Sequence, residues 1–115
     1  MLALNKSCPI YLRTGPTDMR KSVNGLSALV GQEMGKSPFE AAYFVFCNKR
    51  RHLLKVLYWD KNGFAIWYKR LEEEKFPWPQ DAQAVRELTG EQLEWLLAGL
   101  DFTQAHKRLT YEKTS

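Results

Sequence analysis

Between Tyr43 and Arg70 the apolar and aromatic positions fall into short runs, Tyr43–Cys47, Leu53–Trp59 and Phe64–Arg70. Each is too short for a stable helix and rich in the aromatic and β-branched side chains that suit a pleated surface. The segments between them are turn chemistry, Asn48-Lys49-Arg50-Arg51-His52 and Asp60-Lys61-Asn62-Gly63. The Asn-Gly pair in the second is a strong hairpin signal. The pattern predicts an antiparallel meander of three strands.

On either side of this block the period changes. Met19, Val23, Leu26, Val30 and Met34 recur at helical spacing. They predict a helix opened by Pro16-Thr17-Asp18, with Thr17 or Asp18 as its N-cap, and stopped at Gly35. Gly25 inside it suggests close packing on a sheet. Cys8–Arg13, ended by Thr14-Gly15-Pro16, predicts a short strand. The prolines of Phe76-Pro77-Trp78-Pro79 take the chain out of the sheet, since they cannot feed a central ladder. Ala84–Leu88 fits either a short strand or a helical turn. Thr89 and Gln92 have capping-box spacing, and Leu93, Leu96, Leu97 and Leu100 line one face of a second helix closing near Gly99. The expected architecture is α+β: an antiparallel β-meander with an N-terminal strand, one helix packed on the sheet and a second at the C-terminus, the helices covering one face. Residues 1–102 form one domain, and a polar tail follows from Thr103.

Strand parity divides the side chains into faces. Val56 and Tyr58 with Phe64, Ile66 and Tyr68 read as core, facing the first helix. The opposite set mixes Lys55, Trp59, Trp67 and Lys69, an unusual composition for a packed face. It fits a stacking platform for nucleic acid or a protein-binding patch. It also fits a face covered by the C-terminal helix or by Phe76–Pro79.

Composition narrows the classes. The 115 residues suit one domain, 44% are hydrophobic and 13% aromatic, and no apolar run approaches a membrane span. The N-terminus does not read as a signal peptide, so the expected compartment is the cytoplasm. Charge is unevenly placed: residues 1–70 carry 12 Lys and Arg against 4 Asp and Glu, and residues 71–115 carry 5 against 9. That asymmetry suggests two partner surfaces, unless the halves neutralise each other on folding.

Catalytic and metal chemistry find little footing. Cys8 and Cys47 lie outside any CxxC pair, and with His52 and His106 they give no metal-ligand spacing. No metal or cofactor is expected. A two-metal nuclease needs converging carboxylates, and the basic half offers only Asp18, Glu33, Glu40 and Asp60. Asp18 is better explained as a cap and Asp60 as a turn residue.

Taken in order, "YLRTGPTDMRKSVNGLSALV" (11–30), "YFVFCNKRRHLLKVLYWDKNGFAIWYKRLEEEKFPWP" (43–79) and "LTGEQLEWLLAGLDF" (88–102) resemble the TnpB accessory proteins encoded by the second reading frame of insertion sequences of class sixty-six. This family is distinct from the RNA-guided nucleases that share the name. Ser22 and Val23 stand where its members tend to have Gly and Phe, a departure expected to bear on helix packing. The resemblance implies a protein that accompanies a separate, larger transposase and assists transposition through nucleic acid or protein contacts. It implies no catalytic residue.

Two non-enzymatic functions therefore compete, or coexist. In one, Arg20, Lys21, Lys49, Arg50, Arg51, Lys55, Lys69 and Arg70 contact the phosphates of element-end DNA, with Trp59 or Trp67 stacking or wedging. Arg20 and Lys21 would sit beside the free N–H groups of a helix start, or pair with Asp18 instead. In the other, the chain is an adaptor that reaches the transposase through its aromatic face and acidic C-terminal helix, with Glu91 and Glu94 in contact.

Overall fold

The computed structural model describes residues 3–5, 7–80 and 83–100. Its elements run β1 (Ile10–Arg13), α1 (Val23–Gln32), β2 (Tyr43–Cys47), β3 (Leu53–Asp60), β4 (Gly63–Arg70), β5 (Val85–Leu88) and α2 (Gly90–Leu97). The expected polar tail lies outside the described residues.

The five strands form one sheet in the order β4-β3-β2-β1-β5. The predicted meander is its β2-β3-β4 half. The other half was not legible from local pattern: β1 is an inner strand, parallel to β2 and antiparallel to β5. A parallel pair needs a crossover, and α1 is that crossover. The ambiguous Ala84–Leu88 segment supplies the edge strand β5.

Both faces of the sheet are covered. Leu26 and Val30 of α1, with Met34 just after it, pack on Phe44, Phe46 and Leu57, while Leu93, Leu96 and Leu97 of α2 pack on the other face with Val45, Cys47, Leu54 and Val56. The expectation of helices on one face is therefore corrected. Every residue of β2 is buried, as expected for a central strand with a layer on each side. Phe76 and Trp78 belong to the α2-side core. The Trp78 indole N–H donates to the carbonyls of Arg13 and Gly15, at 3.1 and 2.9 Å, which satisfies its one donor in a buried site.

The parity reading is corrected as well. The hairpin turns on two residues, with Asp60 paired to Gly63, so odd positions of β3 face even positions of β4. Val56 stands opposite Trp67, and Leu57 opposite Ile66. Ile66 and Phe64 therefore belong to the α1 side, while Val56, Tyr58 and Trp67 belong to the α2 side.

Helix α1 begins later than predicted. Its N-cap is Ser22, whose side chain makes no capping bond. The chain from Thr17 to Lys21 is instead held by one long-range and one local bond: the Thr17 N–H donates to the Cys47 carbonyl at 2.7 Å and the Lys21 N–H to the Asp18 carbonyl at 3.1 Å. Gly25 does allow a close approach, but to Lys21 and not to the sheet: a Cβ there would lie 2.9 Å from that of Lys21. The second helix follows its pattern, with the Thr89 hydroxyl accepting from the Gln92 N–H at 3.1 Å and the Gln92 side chain accepting from the Thr89 N–H at 2.9 Å. No described helix is long and apolar enough to cross a membrane.

Candidate nucleic-acid interface

Strand direction gathers cations that are scattered in sequence. The carboxyl ends of β1 and β2 lie together because the strands are parallel. β4 ends at the same edge, since Arg70 pairs with Leu53 at the start of β3. The Thr17–Lys21 segment is tied to this edge through Cys47, and Phe76 is tied to it by an N–H donated to the Arg51 carbonyl at 2.7 Å. Arg20, Lys21, Lys49, Arg50, Arg51 and Arg70 thus occupy one end of the sheet.

The β2–β3 turn that carries three of them is built by Asn48. Its side-chain oxygen accepts from the N–H groups of His52 and Leu53, each at 3.0 Å, and its amide nitrogen lies 3.1 Å from His52 Nδ1. Arg51 adopts a left-handed backbone, φ +62°. This costs a side-chain-bearing residue about 1–2 kcal/mol and needs the surrounding bonds to hold it. Lys49 and Arg50 are exposed, Arg51 is half-buried, and none has a carboxylate partner among the described residues.

Arg20 is not at a helix start. It forks onto Asp18, Nη2 to Oδ2 at 2.7 Å, with its side chain 92% exposed. The hydrogen-bonded guanidinium holds the Asp18 carboxyl down to about 2. Lys21, exposed, has no carboxylate partner among the described residues. Arg70 pairs with Glu72 at 2.9 Å, and both side chains remain mostly exposed. Exposed pairs of this kind are weak, so their cations can exchange a carboxylate for a phosphate.

Two predicted contacts are committed elsewhere. Lys55 donates to the carbonyls of Met19 and Lys21, at 2.8 and 2.9 Å, and so closes the loop that leads into α1. Lys69 donates to the Leu97 carbonyl at 2.7 Å, at the C-terminus of α2, where free carbonyls and the helix dipole favour a cation. They lie on opposite faces of the sheet.

The two tryptophans also separate. Trp67 packs into the α2-side core. Trp59, 37% exposed, stacks edge-on with Phe64 at 5.0 Å and Phe39 at 5.5 Å, at the far end of the sheet from the cations. The aromatic surface at the basic end is Tyr68 instead, 50% exposed and directly opposite Lys55. Strand parity assigns Tyr68 to the core, although the two-residue turn carries the register that puts it opposite Lys55. Phe39, 63% exposed, lies in no periodic run, so the hydrophobic pattern does not mark it.

The opposite end of the sheet has a different character. Glu91 and Glu94 line an open groove of about 780 Å³ between the start of α2 and the segment before β1, with Leu4, Cys8 and Trp95. Among the described residues neither glutamate has an ion-pair partner, and no group of three or more His, Cys, Asp or Glu is placed to hold a metal ion. Both cysteines are free thiols, with Cys47 buried and its thiol pushed up to about 12 by burial.

The profile of the IS66 Orf2-like proteins matches residues 8–107. The uncharacterized protein y4jC of Sinorhizobium fredii is 34% identical over 108 residues, covering 94% of this chain and 92% of its own. The uncharacterized protein y4hO of the same organism is 31% identical over 114 residues, covering 99% and 97%. No solved structure matches. By the span of the profile and the near end-to-end alignment of these relatives, the chain belongs to the IS66 Orf2-like family.

Proposed function

We propose that this protein is a non-catalytic accessory factor of insertion-sequence transposition that holds nucleic acid on the basic end of its sheet. One observation carries the reading: cations from the Thr17–Lys21 loop, the β2–β3 turn and the end of β4 share one edge of the fold, and four of them have no carboxylate partner among the described residues. Backbone phosphates are the partner such a surface fits, and they give affinity without base specificity.

The experiment is a salt series of binding to element-end DNA. The variant combines Lys49→Ala and Arg50→Ala with Arg51→Asn, because asparagine tolerates the left-handed backbone at that position. Binding to all sequences should weaken alike, and the salt slope should fall by about 0.7–0.9 for each phosphate that is no longer neutralised. An unchanged slope in the folded variant would remove the basic end from consideration.

A second, compatible reading is favoured by the groove at the other end. There the protein contacts the transposase of the same element in the cytoplasm, as an adaptor, through the surface that Glu91 and Glu94 line. A pull-down with the transposase tests it independently of DNA.

A further inference from the structure

The groove beside α2 does not stop at β1. A second groove, of about 420 Å³, is lined by Tyr43, Tyr58, Trp59 and Asp60, and the two meet at Asn5 and Cys8. The junction is firmly built. The Asn5 N–H donates to the Tyr43 hydroxyl at 2.8 Å, the Ser7 N–H and hydroxyl donate to Asn5 Oδ1, and the Cys8 N–H donates to the Asn5 carbonyl. Together the grooves form a trench across the end of the sheet opposite the β2–β3 turn and the Thr17–Lys21 loop. Leu4, Ile10, Leu88 and Trp95 line the part beside α2 together with Glu91 and Glu94, and Asp60 lies in the part beside β3.

We propose that this trench binds a peptide segment of a protein partner that carries arginine or lysine together with aliphatic residues. The proposal rests on the adaptor reading and specifies the chemistry of its partner. Charge decides the occupant. The three carboxylates have no cation partner among the described residues and outnumber the exposed Lys61 of the adjoining β3–β4 turn, so a phosphate backbone is repelled and a cationic chain attracted. The apolar floor supplies contact area that a purely charged ligand would leave unused.

Cys8 provides a reporter at the junction. Cys47 is fully buried with its thiol held protonated, so alkylation of the folded protein at neutral pH reads Cys8 alone. The probe is a short synthetic peptide alternating Arg and Leu, with controls in which Gln replaces Arg or Ala replaces Leu. On the full chain, the Arg-Leu peptide should bind, slow iodoacetamide modification of Cys8, and outcompete both controls. Glu91→Gln with Glu94→Gln, which keeps size and hydrogen bonding, should weaken it about three- to tenfold, the range for two exposed ion pairs. Duplex DNA should leave the Cys8 rate unchanged. The proposal is overturned if the peptide does not slow Cys8 modification, if the double variant binds it as tightly, or if DNA protects Cys8 in its place. None of these outcomes alters the transposase pull-down, so failure of the trench and failure of the adaptor reading remain distinct.

Discussion

Trp59 and Trp67 belong to one hairpin and lie on opposite faces of the sheet, Trp59 beside Phe39 and Phe64 at an exposed end, Trp67 across from Val56 in the α2-side core. Their substitutions should therefore differ in kind. Trp67→Ala removes a packed indole and should cost about 3 kcal/mol in urea unfolding. Trp59→Ala should cost less, about 1–2 kcal/mol, because its ring is partly exposed and loses chiefly its edge contacts with Phe39 and Phe64. Equal losses in the two variants would contradict the face assignment.

Tyr68 is the aromatic side chain that the basic end leaves open. If a base stacks on it, Tyr68→Ala should reduce binding of single-stranded DNA by about 1–3 kcal/mol with little change in salt slope. Tyr68→Phe should retain most of the affinity, since the ring and not the hydroxyl makes the stack. Thermal melts of both variants should overlay the parent, because half of the residue is exposed.

Lys69 should behave as a structural residue. Lys69→Met keeps the aliphatic stem but removes the donor to the Leu97 carbonyl, and should cost about 1–2 kcal/mol of stability. Its DNA-binding salt slope should match that of the parent. A reduced slope with unchanged stability would return Lys69 to the nucleic-acid surface.

The Asp18–Arg20 pair sets a pH dependence confined to strong acid. The hydrogen-bonded Arg20 guanidinium depresses the Asp18 carboxyl from an ordinary 3.8 to about 2. A depressed carboxyl contributes to stability above its unfolded value and loses that contribution as the pH falls through the folded one. The pair should thus be intact from neutrality to about pH 4 and be lost between there and pH 2. Carboxyl chemical shifts followed through an acid titration report this directly. Arg20→Ala should bring the Asp18 midpoint up toward its ordinary value, and an unmoved midpoint would mean that the fork is not formed in solution.

Asn48 links the turn's geometry to its charge. Its side chain accepts both N–H groups that open β3, so Asn48→Ala leaves two donors without their partner at the base of the basic turn. Hydrogen exchange at His52 and Leu53 should accelerate while the amides of β2 keep their protection. Acceleration spread evenly over the sheet would indicate a global loss of stability instead.

Much of the fold is local, and so was legible in the chain. The β2-β3-β4 meander follows from short aromatic runs and an Asn-Gly turn, and α2 from its capping box and leucine spacing. These features depend on residues within a few positions of one another, where propensity and turn stereochemistry act. The hairpin register was also present locally, in the two-residue turn, and it alone would have separated Trp59 from Trp67.

What only the tertiary structure decided are relations across long stretches of chain. That β1 pairs parallel with β2 and also receives β5 depends on partners far apart in sequence, Ile10 with Tyr43 on one side and with Leu88 on the other, which no local pattern encodes. The same pairing brings Lys21, Lys49 and Arg70 to one end of the sheet and leaves Glu91 and Glu94 at the other. Composition revealed a basic front and an acidic back, but in space Glu72, Glu73 and Glu74 stay at the basic end beside Arg70, and strand direction takes only Glu91 and Glu94 of these to the other. Lys55 and Lys69 make the same point from the opposite side. Their charge was plain in sequence, and their commitment to backbone carbonyls depended on where a loop and a helix end came to rest. A long, flexible ammonium side chain takes whichever acceptor the fold delivers within its reach, and only the folded chain delivers it.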